Sequence, residues 1–257
     1  VGQTGALPGW PFPFSQKGEP VVNSQPRKLL RKASGKLARA THRLLAFGND
    51  KLGDAIVSFG IPAVRTCPGM STICRRLCYA RGGRFRYPAV KKAYRRNVEA
   101  AQRPDFAARL IEEIARSGAT VVRIHVSGDF FSADYVRAWT QVATAHPQVT
   151  FFAYTRSWRA GSIRQALDTF ATLSNVRLWF SADRETGLPS DLPEGVRIAW
   201  LETKEEEDVP EGVDLVFRPR QLRKRPNARV PLSLVCPADV NQPDKKVTCG
   251  SCGSCWQ

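Results

Sequence analysis

Cys67, Cys74 and Cys78 stand at C-x6-C-x3-C spacing, and Cys236, Cys249, Cys252 and Cys255 follow near the C-terminus as C-x12-C-x2-C-x2-C. Thiolates are soft ligands, and at these spacings one loop can aim several of them at a common point. Both groups therefore read as metal or iron–sulfur ligands. Three thiolates leave a centre unsaturated. A 4Fe–4S cluster held by three keeps one iron open to a substrate or cofactor, and a zinc held by three keeps one open position. The four C-terminal cysteines can close a second site completely, as a structural zinc or an auxiliary cluster. An odd total of seven, tightly clustered, argues against a disulfide framework. The bland alternative is one folding zinc with spare thiols.

Three polar clusters are the next candidates: Ser127-Gly128-Asp129-Phe130, Tyr154-Thr155-Arg156-Ser157 and Ser181-Ala182-Asp183-Arg184. Each follows an apolar, β-branched or aromatic run. The elements that would position them read as follows. Strands are expected at 54–64, 119–126, 149–154, 176–180, 196–201 and 213–217, with helices at 27–45, from Pro88 for about fifteen residues, and at 104–117, 132–146 and 162–173. Gly48-Asn49-Asp50 reads as a turn. Ser132 is placed to cap its helix. Helical connections imply parallel pairing with right-handed crossovers, and parallel β/α folds place their sites at the C-terminal strand ends. The fold class expected is α/β: a partial (β/α)6 barrel with a mostly parallel sheet and a cysteine-rich C-terminal metal-binding extension. The divisions are 1–26, a Pro-rich extended arm; 27–230, the α/β body; and 231–257, the metal-binding segment. His125, inside a β-branched run, reads as a hydrogen-bonded core histidine.

The formal net charge is +16. A polyanionic partner, most simply nucleic acid, accounts for that excess where a small neutral metabolite does not. Arg81, Arg84 and Arg86, and Arg220, Arg223, Lys224 and Arg225, are the candidate phosphate contacts, with Phe85, Tyr87 and Trp158 near basic residues as candidate base-stacking groups. With no bilayer-length apolar run and a polar, turn-rich start, the chain is expected in the cytoplasm and off the membrane.

Phe47-Gly48-Asn49-Asp50-Lys51-Leu52-Gly53, the Cys67 to Ala80 stretch, the segment from Arg123 to Ser132, Tyr154-Thr155-Arg156-Ser157 and the terminal cysteines together resemble the phage and plasmid gene-product-88 family, over residues 47–257. In topology the chain is also similar to radical S-adenosylmethionine enzymes. That resemblance implies a cluster on Cys67, Cys74 and Cys78, S-adenosylmethionine placed by Ser127, Gly128 and Asp129, and Tyr79 as the aromatic residue beside the last ligand. The family spacing is C-x3-C-x2-C, which this chain lengthens.

The function expected is an iron–sulfur enzyme, radical S-adenosylmethionine-like, modifying a nucleic acid or nucleotide, with one or two 4Fe–4S clusters. Asp129, Asp183, Tyr154 and Arg156 are its expected catalytic residues, and Tyr79, Ser127, Gly128, Asp129 and Ser181 its expected cofactor contacts. Two alternatives stay open. A guanine-transglycosylase-like base exchange would use Asp129 and Asp183 as nucleophile and general acid or base, with zinc on the C-terminal cysteines. A non-catalytic, metal-stapled nucleic-acid-binding module would need only the basic surface.

Overall fold

The computed structural model describes residues 42–204, 208–220, 222–223, 227–240 and 247–257. The expected arm at 1–26 and most of the expected helix at 27–45 lie outside these residues. The compact unit described here runs over Arg43–Gln257.

Seven strands form one sheet in sequential order: β1 (Ala46–Asn49), β2 (Gly53–Ser58), β3 (Val121–Ile124), β4 (Thr150–Thr155), β5 (Val176–Ala182), β6 (Arg197–Leu201) and β7 (Leu215–Phe217). β1 runs antiparallel to β2. Every later pair is parallel. All six expected strands are present. The first is shorter than expected, and the Gly48-Asn49-Asp50 turn is corrected. Residues 46–49 pair as an edge strand, and the reversal falls just after them, where Asn49 Oδ1 accepts from the backbone N–H groups of Lys51 and Leu52, both at 2.9 Å. No pairing among the described residues joins the first strand to the last, so the sheet shown is open.

The helices are α1 (Thr72–Leu77), α2 (Pro88–Ala101), α3 (Phe106–Ser117), α4 (Ala133–Ala145), α5 (Gly161–Ala171) and the single turn α6 (Cys249–Cys252). Three of the helices each bury a stripe at helical spacing: Phe106, Leu110 and Ile114 on α3; Tyr135, Trp139 and Val142 on α4; Ile163, Leu167 and Phe170 on α5. Ser132 caps α4, its hydroxyl accepting from Tyr135 N–H at 3.2 Å. Residues 42–45 are not helical, which corrects the end of the expected 27–45 helix. Leu44 and Leu45 are buried, and their N–H groups donate to the Glu113 carboxylate at 3.0 and 3.1 Å.

Sequential strand order explains the layering. With crossovers of one hand, a sheet that never reverses its order collects its helices on one face. Val57, Val122, Ile124, Phe151, Ala153, Leu178 and Phe180 point into that core. The opposite face carries Ile56, Val121, Phe152, Trp179, Ala199 and Leu215, and it is covered by Cys249, Cys255, Trp256 and Cys236. The C-terminal cysteine segment is thus part of the same compact unit, not an appended extension. Among the described residues no helix is long and apolar enough to cross a membrane.

Candidate functional site at the strand tips

Beyond Ser58 the chain keeps its grip on β3. Phe59 N–H donates to Arg123 O at 3.1 Å, Val126 N–H to Phe59 O at 2.9 Å, and Ile61 N–H to Ser127 O at 3.0 Å. The three-cysteine loop that follows is clasped to the ends of β3, β4 and β5. Two glycines permit that approach. A Cβ on Gly69 would stand 1.8 Å from the carbonyl oxygen of Arg156, so only glycine lets the loop lie against the end of β4. Gly128 has φ +82°, and a Cβ there would stand 2.3 Å from Ile61 Cγ1.

The side chains of the clasp are buried and tied to one another. Asp129 Oδ1 accepts from Thr155 Oγ1 at 2.6 Å and Phe130 N–H at 2.7 Å, while Oδ2 accepts from Arg156 N–H at 2.8 Å. Its own N–H donates to Thr66 O at 3.1 Å, tying it to the residue before Cys67. Burial raises the Asp129 carboxyl to about 6, against the pull of those hydrogen bonds. Asp183, 0% exposed, pairs with the Arg156 guanidinium at 2.7 Å, and Ser71 Oγ donates to the same oxygen at 2.6 Å. Ser71 in turn caps α1 by accepting from Cys74 N–H at 2.9 Å. Glu185 completes that cap, accepting from Thr72 and Ile73 N–H at 2.9 and 3.0 Å, and these bonds lower its carboxyl below the ordinary range. An arginine, three carboxylates and a serine thus fix the helix that carries Cys74.

Cys67, Cys74 and Cys78 are free, half-buried thiols within electrostatic reach of one another. Burial pushes Cys67 up to about 12, with Asp129 adding to it, and burial raises Cys74 against the pull of Arg156. Such thiols are protonated and poor nucleophiles on their own, so a metal must displace their protons to use them. Among the described residues no three His, Cys, Asp or Glu side chains gather tightly enough to hold one metal ion. A lone zinc would need that, because each thiolate must reach within about 2.3 Å of the same atom. A cubane makes a looser demand, since each thiolate ligates a different iron and the sulfurs stay further apart. Cys67, Cys74 and Cys78 are the three thiols that one loop would offer to such a centre.

The C-terminal thiols lie on the sheet face opposite the long helices. Cys249 and Gly250 N–H donate to Lys51 and Leu52 O at 2.8 and 2.9 Å. The carbonyl of Cys255 accepts from Trp179 Nε1 at 3.0 Å and Arg197 Nη2 at 3.3 Å. Cys236 is buried, with its N–H on Val216 O at 2.9 Å, and burial pushes its thiol up to about 11. Tyr154 packs beside Cys255, its ring 5.5 Å from Trp179 and 5.1 Å from Phe217. Arg123 stacks over Phe152 and Tyr154 at 5.8 and 5.6 Å, with its buried Nε unpaired, and its charge is felt from Tyr79, Tyr154, Cys249 and Cys255. It belongs to the face that carries the C-terminal thiols.

The expected site residues thus divide. Cys67, Cys74, Cys78, Asp129, Arg156 and Asp183 share the strand-tip clasp. Ser127 and Gly128 lie beside it, with the Ser127 carbonyl spent on Ile61. Tyr154, expected in the same pocket, faces the C-terminal thiols instead, because its register on β4 points it to the opposite face from Ala153. The Ser181 carbonyl accepts from Trp158 Nε1 at 2.9 Å. Arg220 is exposed. Arg223 is spent on Asp239 and on Arg218 O, at 3.5 Å for the latter, rather than offered to phosphate. Lys224 and Arg225 lie outside the described residues. Arg81 donates to Arg75 O at 3.1 Å, Arg84 pairs with Asp50 at 2.7 Å, and Arg86 is exposed. His125 is a core residue as expected, with Nε2 2.9 Å from Tyr135 Oη; burial, then Arg123, lowers it to about 3. Sequence reasoning gave no role to Ser71, Glu185, Thr155 and Arg123. Ser71 carried a readable signal, a serine directly before a helix, whereas Glu185 is brought to α1 only by the fold.

Fold and site together define an α/β protein with a mostly parallel sheet, whose strand tips hold a loop bearing three thiols. More particularly, the chain belongs to the gene product 88 family, whose model matches residues 28–257. It is 30% identical over 248 residues to the Gene 88 protein of Mycobacterium phage L5, covering 89% of this chain and 93% of that protein. It is 30% identical over 228 residues to the Gene 88 protein of Mycobacterium phage D29, covering 81% and 85%. No solved structure matches.

Proposed function

We propose that this chain is an iron–sulfur enzyme of the radical S-adenosylmethionine type acting on a nucleic acid or nucleotide. The observation that carries the reading is the position of the thiol trio. It occupies the loop after the first parallel strand of a sequential six-strand parallel run, clasped to the strand tips beside Asp129, Arg156 and Asp183. The partial-barrel architecture belongs to the same proposal.

In this reading Cys67, Cys74 and Cys78 hold the cluster, which when bound supplies an iron with an open position and one-electron chemistry. The chain's own residues position and shield it. Asp129 and Asp183 have their oxygens engaged within the protein, so they act as positioning residues for the thiol loop. Gly69 lets the loop backbone lie against the Arg156 carbonyl, and Gly128 makes room for the Ile61 and Thr66 side chains, which holds the loop against the strand tips. The excess positive charge supports a polyanionic substrate. The C-terminal thiols would hold a second centre, cluster or zinc. The base-exchange reading has less support, since both of its required carboxylates are buried in the clasp.

The test is anaerobic preparation followed by iron and acid-labile sulfide determination, then incubation with S-adenosylmethionine and reductant. Release of 5′-deoxyadenosine supports the radical reading. A colourless protein with stoichiometric zinc and no sulfide removes it.

A further inference from the structure

The surface running outward from the thiol trio has a composition that the clasp does not use. Between Asp54 and Glu99 there is no acidic residue, and ten are basic: Arg65, Arg75, Arg76, Arg81, Arg84, Arg86, Lys91, Lys92, Arg95 and Arg96. All ten are exposed. Among the described residues one carboxylate pairs with this set, Asp50 with Arg84. A solvated helix face alternates charge, and this one does not.

Two aromatic rings stand among these cations. Tyr79 is 62% exposed and Tyr87 59% exposed, two of the five exposed large hydrophobic residues among those described. Tyr79 directly follows Cys78. Its hydroxyl donates to Val126 O at 2.9 Å, at the tip of β3, and its edge is braced by Phe85 with ring centroids 5.6 Å apart. Tyr79 is therefore held in place with its ring open to solvent. Tyr87 is set by the turn before α2, its N–H on Arg84 O at 3.1 Å.

We infer that this surface binds single-stranded nucleic acid, with Tyr79 and Tyr87 stacking on unpaired bases and the flanking arginines on the phosphates, so that one base is delivered beside the thiol trio. Open aromatic faces choose the strand state. A base within a duplex has both faces covered by its neighbours, whereas an unpaired base presents a face to any ring that is held ready. The cations alone would bind either form. The inference rests on the proposal that the substrate is a nucleic acid, and it names the form that the site accepts.

The experiment measures fluorescence anisotropy of labelled single-stranded oligonucleotides and the matching duplex with the full chain, at two salt concentrations. The expected result is single-strand binding at least tenfold tighter than duplex binding. Tyr79→Ala and Tyr87→Ala should each weaken it about tenfold, the scale of one lost base stack. Tyr79→Phe and Tyr87→Phe should keep it. The Arg84→Ala/Arg86→Ala pair should weaken both forms and flatten the salt dependence. Crosslinking of a halogenated single strand to the unmutated protein should map to residues 79–87, a readout that needs no variant to fold. Equal or tighter duplex binding, alanine variants that bind normally, or crosslinks confined to other surfaces would overturn the inference. Iron content of the same preparations separates the two failures: binding without iron removes the enzyme reading alone, and iron without single-strand preference removes this inference alone.

Discussion

Asp183→Asn isolates the clasp that holds the thiol loop. The substitution keeps the shape of the side chain, but it removes the charge facing Arg156 and leaves one oxygen where Oδ2 accepts from Ser71 and Oδ1 from the N–H groups of Glu185 and Thr186. Asp183 is 0% exposed and the Arg156 side chain 7% exposed, at 2.7 Å, so the guanidinium would be left buried without its counter-charge. Breaking one side of such a buried pair costs about 3–5 kcal/mol. In a unit of this size each kcal/mol shifts the melting midpoint by roughly 2–4 °C, so the expected fall is on the order of 10 °C. Removing both partners together, as Arg156→Met/Asp183→Leu, should recover only part of that loss: two apolar side chains can replace a buried pair at near-neutral cost, but the Glu185 and Thr186 N–H groups lose their acceptor. The loop should not recover with them. Ser71 would lose its acceptor in the double variant, and α1 would carry Cys74 less firmly. Circular dichroism melts of the three proteins read the first effect. Iron retention during gel filtration reads the second. A single Asp183→Asn variant that melts within about 1 °C of the parent would refute the reasoning, since a solvent-screened pair is worth only about 0–1 kcal/mol.

Gly69→Ala should cost the site more than the fold. A Cβ cannot sit 1.8 Å from the Arg156 carbonyl, so the loop must lift, and metal content should drop while far-UV circular dichroism stays near the parent. His125 makes a pH prediction. Its folded value of about 3 lies below the unfolded value of about 6.5, so the unfolded chain takes up the proton first and stability falls as pH drops from 6.5 toward 3. Between pH 7 and pH 4 the loss should approach about 3 kcal/mol, opposed by the raised carboxyl of Asp129. His125→Asn, which tolerates the residue's φ of 65°, should flatten the slope in urea titrations; an unchanged slope would show that another group sets it. If the C-terminal thiols hold the proposed second centre, Arg123→Met should release its metal to a chelator faster than Arg123→Lys does, because only the lysine keeps a cation beside the ligating sulfurs; equal rates would leave Arg123 a packing residue.

The sheet was legible because its strands are β-branched or aromatic runs, and the helices between them carry clear stripes such as Phe106, Leu110 and Ile114. The same alternation located the polar tips at Asp129, Arg156 and Asp183. What those tips do was not legible. A carboxylate at a strand end reads the same whether it meets substrate or, as Asp129 does, accepts three hydrogen bonds from its own protein. Glu185 caps α1 from more than a hundred residues away, and no local pattern marks that. Tyr154 and Arg156 are two residues apart on paper, yet one serves the face under the C-terminal cysteines and the other the clasp. β1 was hidden because Ala46-Phe47-Gly48-Asn49 is too short and glycine-bearing to read as a strand, and it pairs only because β2 offers it an edge. The C-terminal segment reads as an appendage in sequence because its docking uses main-chain carbonyls, held by Trp179 and Arg197, whose side chains give no hint of that partner.

The most direct measurement is the iron and acid-labile sulfide content of anaerobically prepared full-length chain, set against the Cys67→Ala/Cys74→Ala/Cys78→Ala variant. The account predicts at least about four irons and four sulfides per chain, with about that number lost in the triple variant. Zinc without sulfide, or iron and sulfide unchanged by the triple variant, would contradict it.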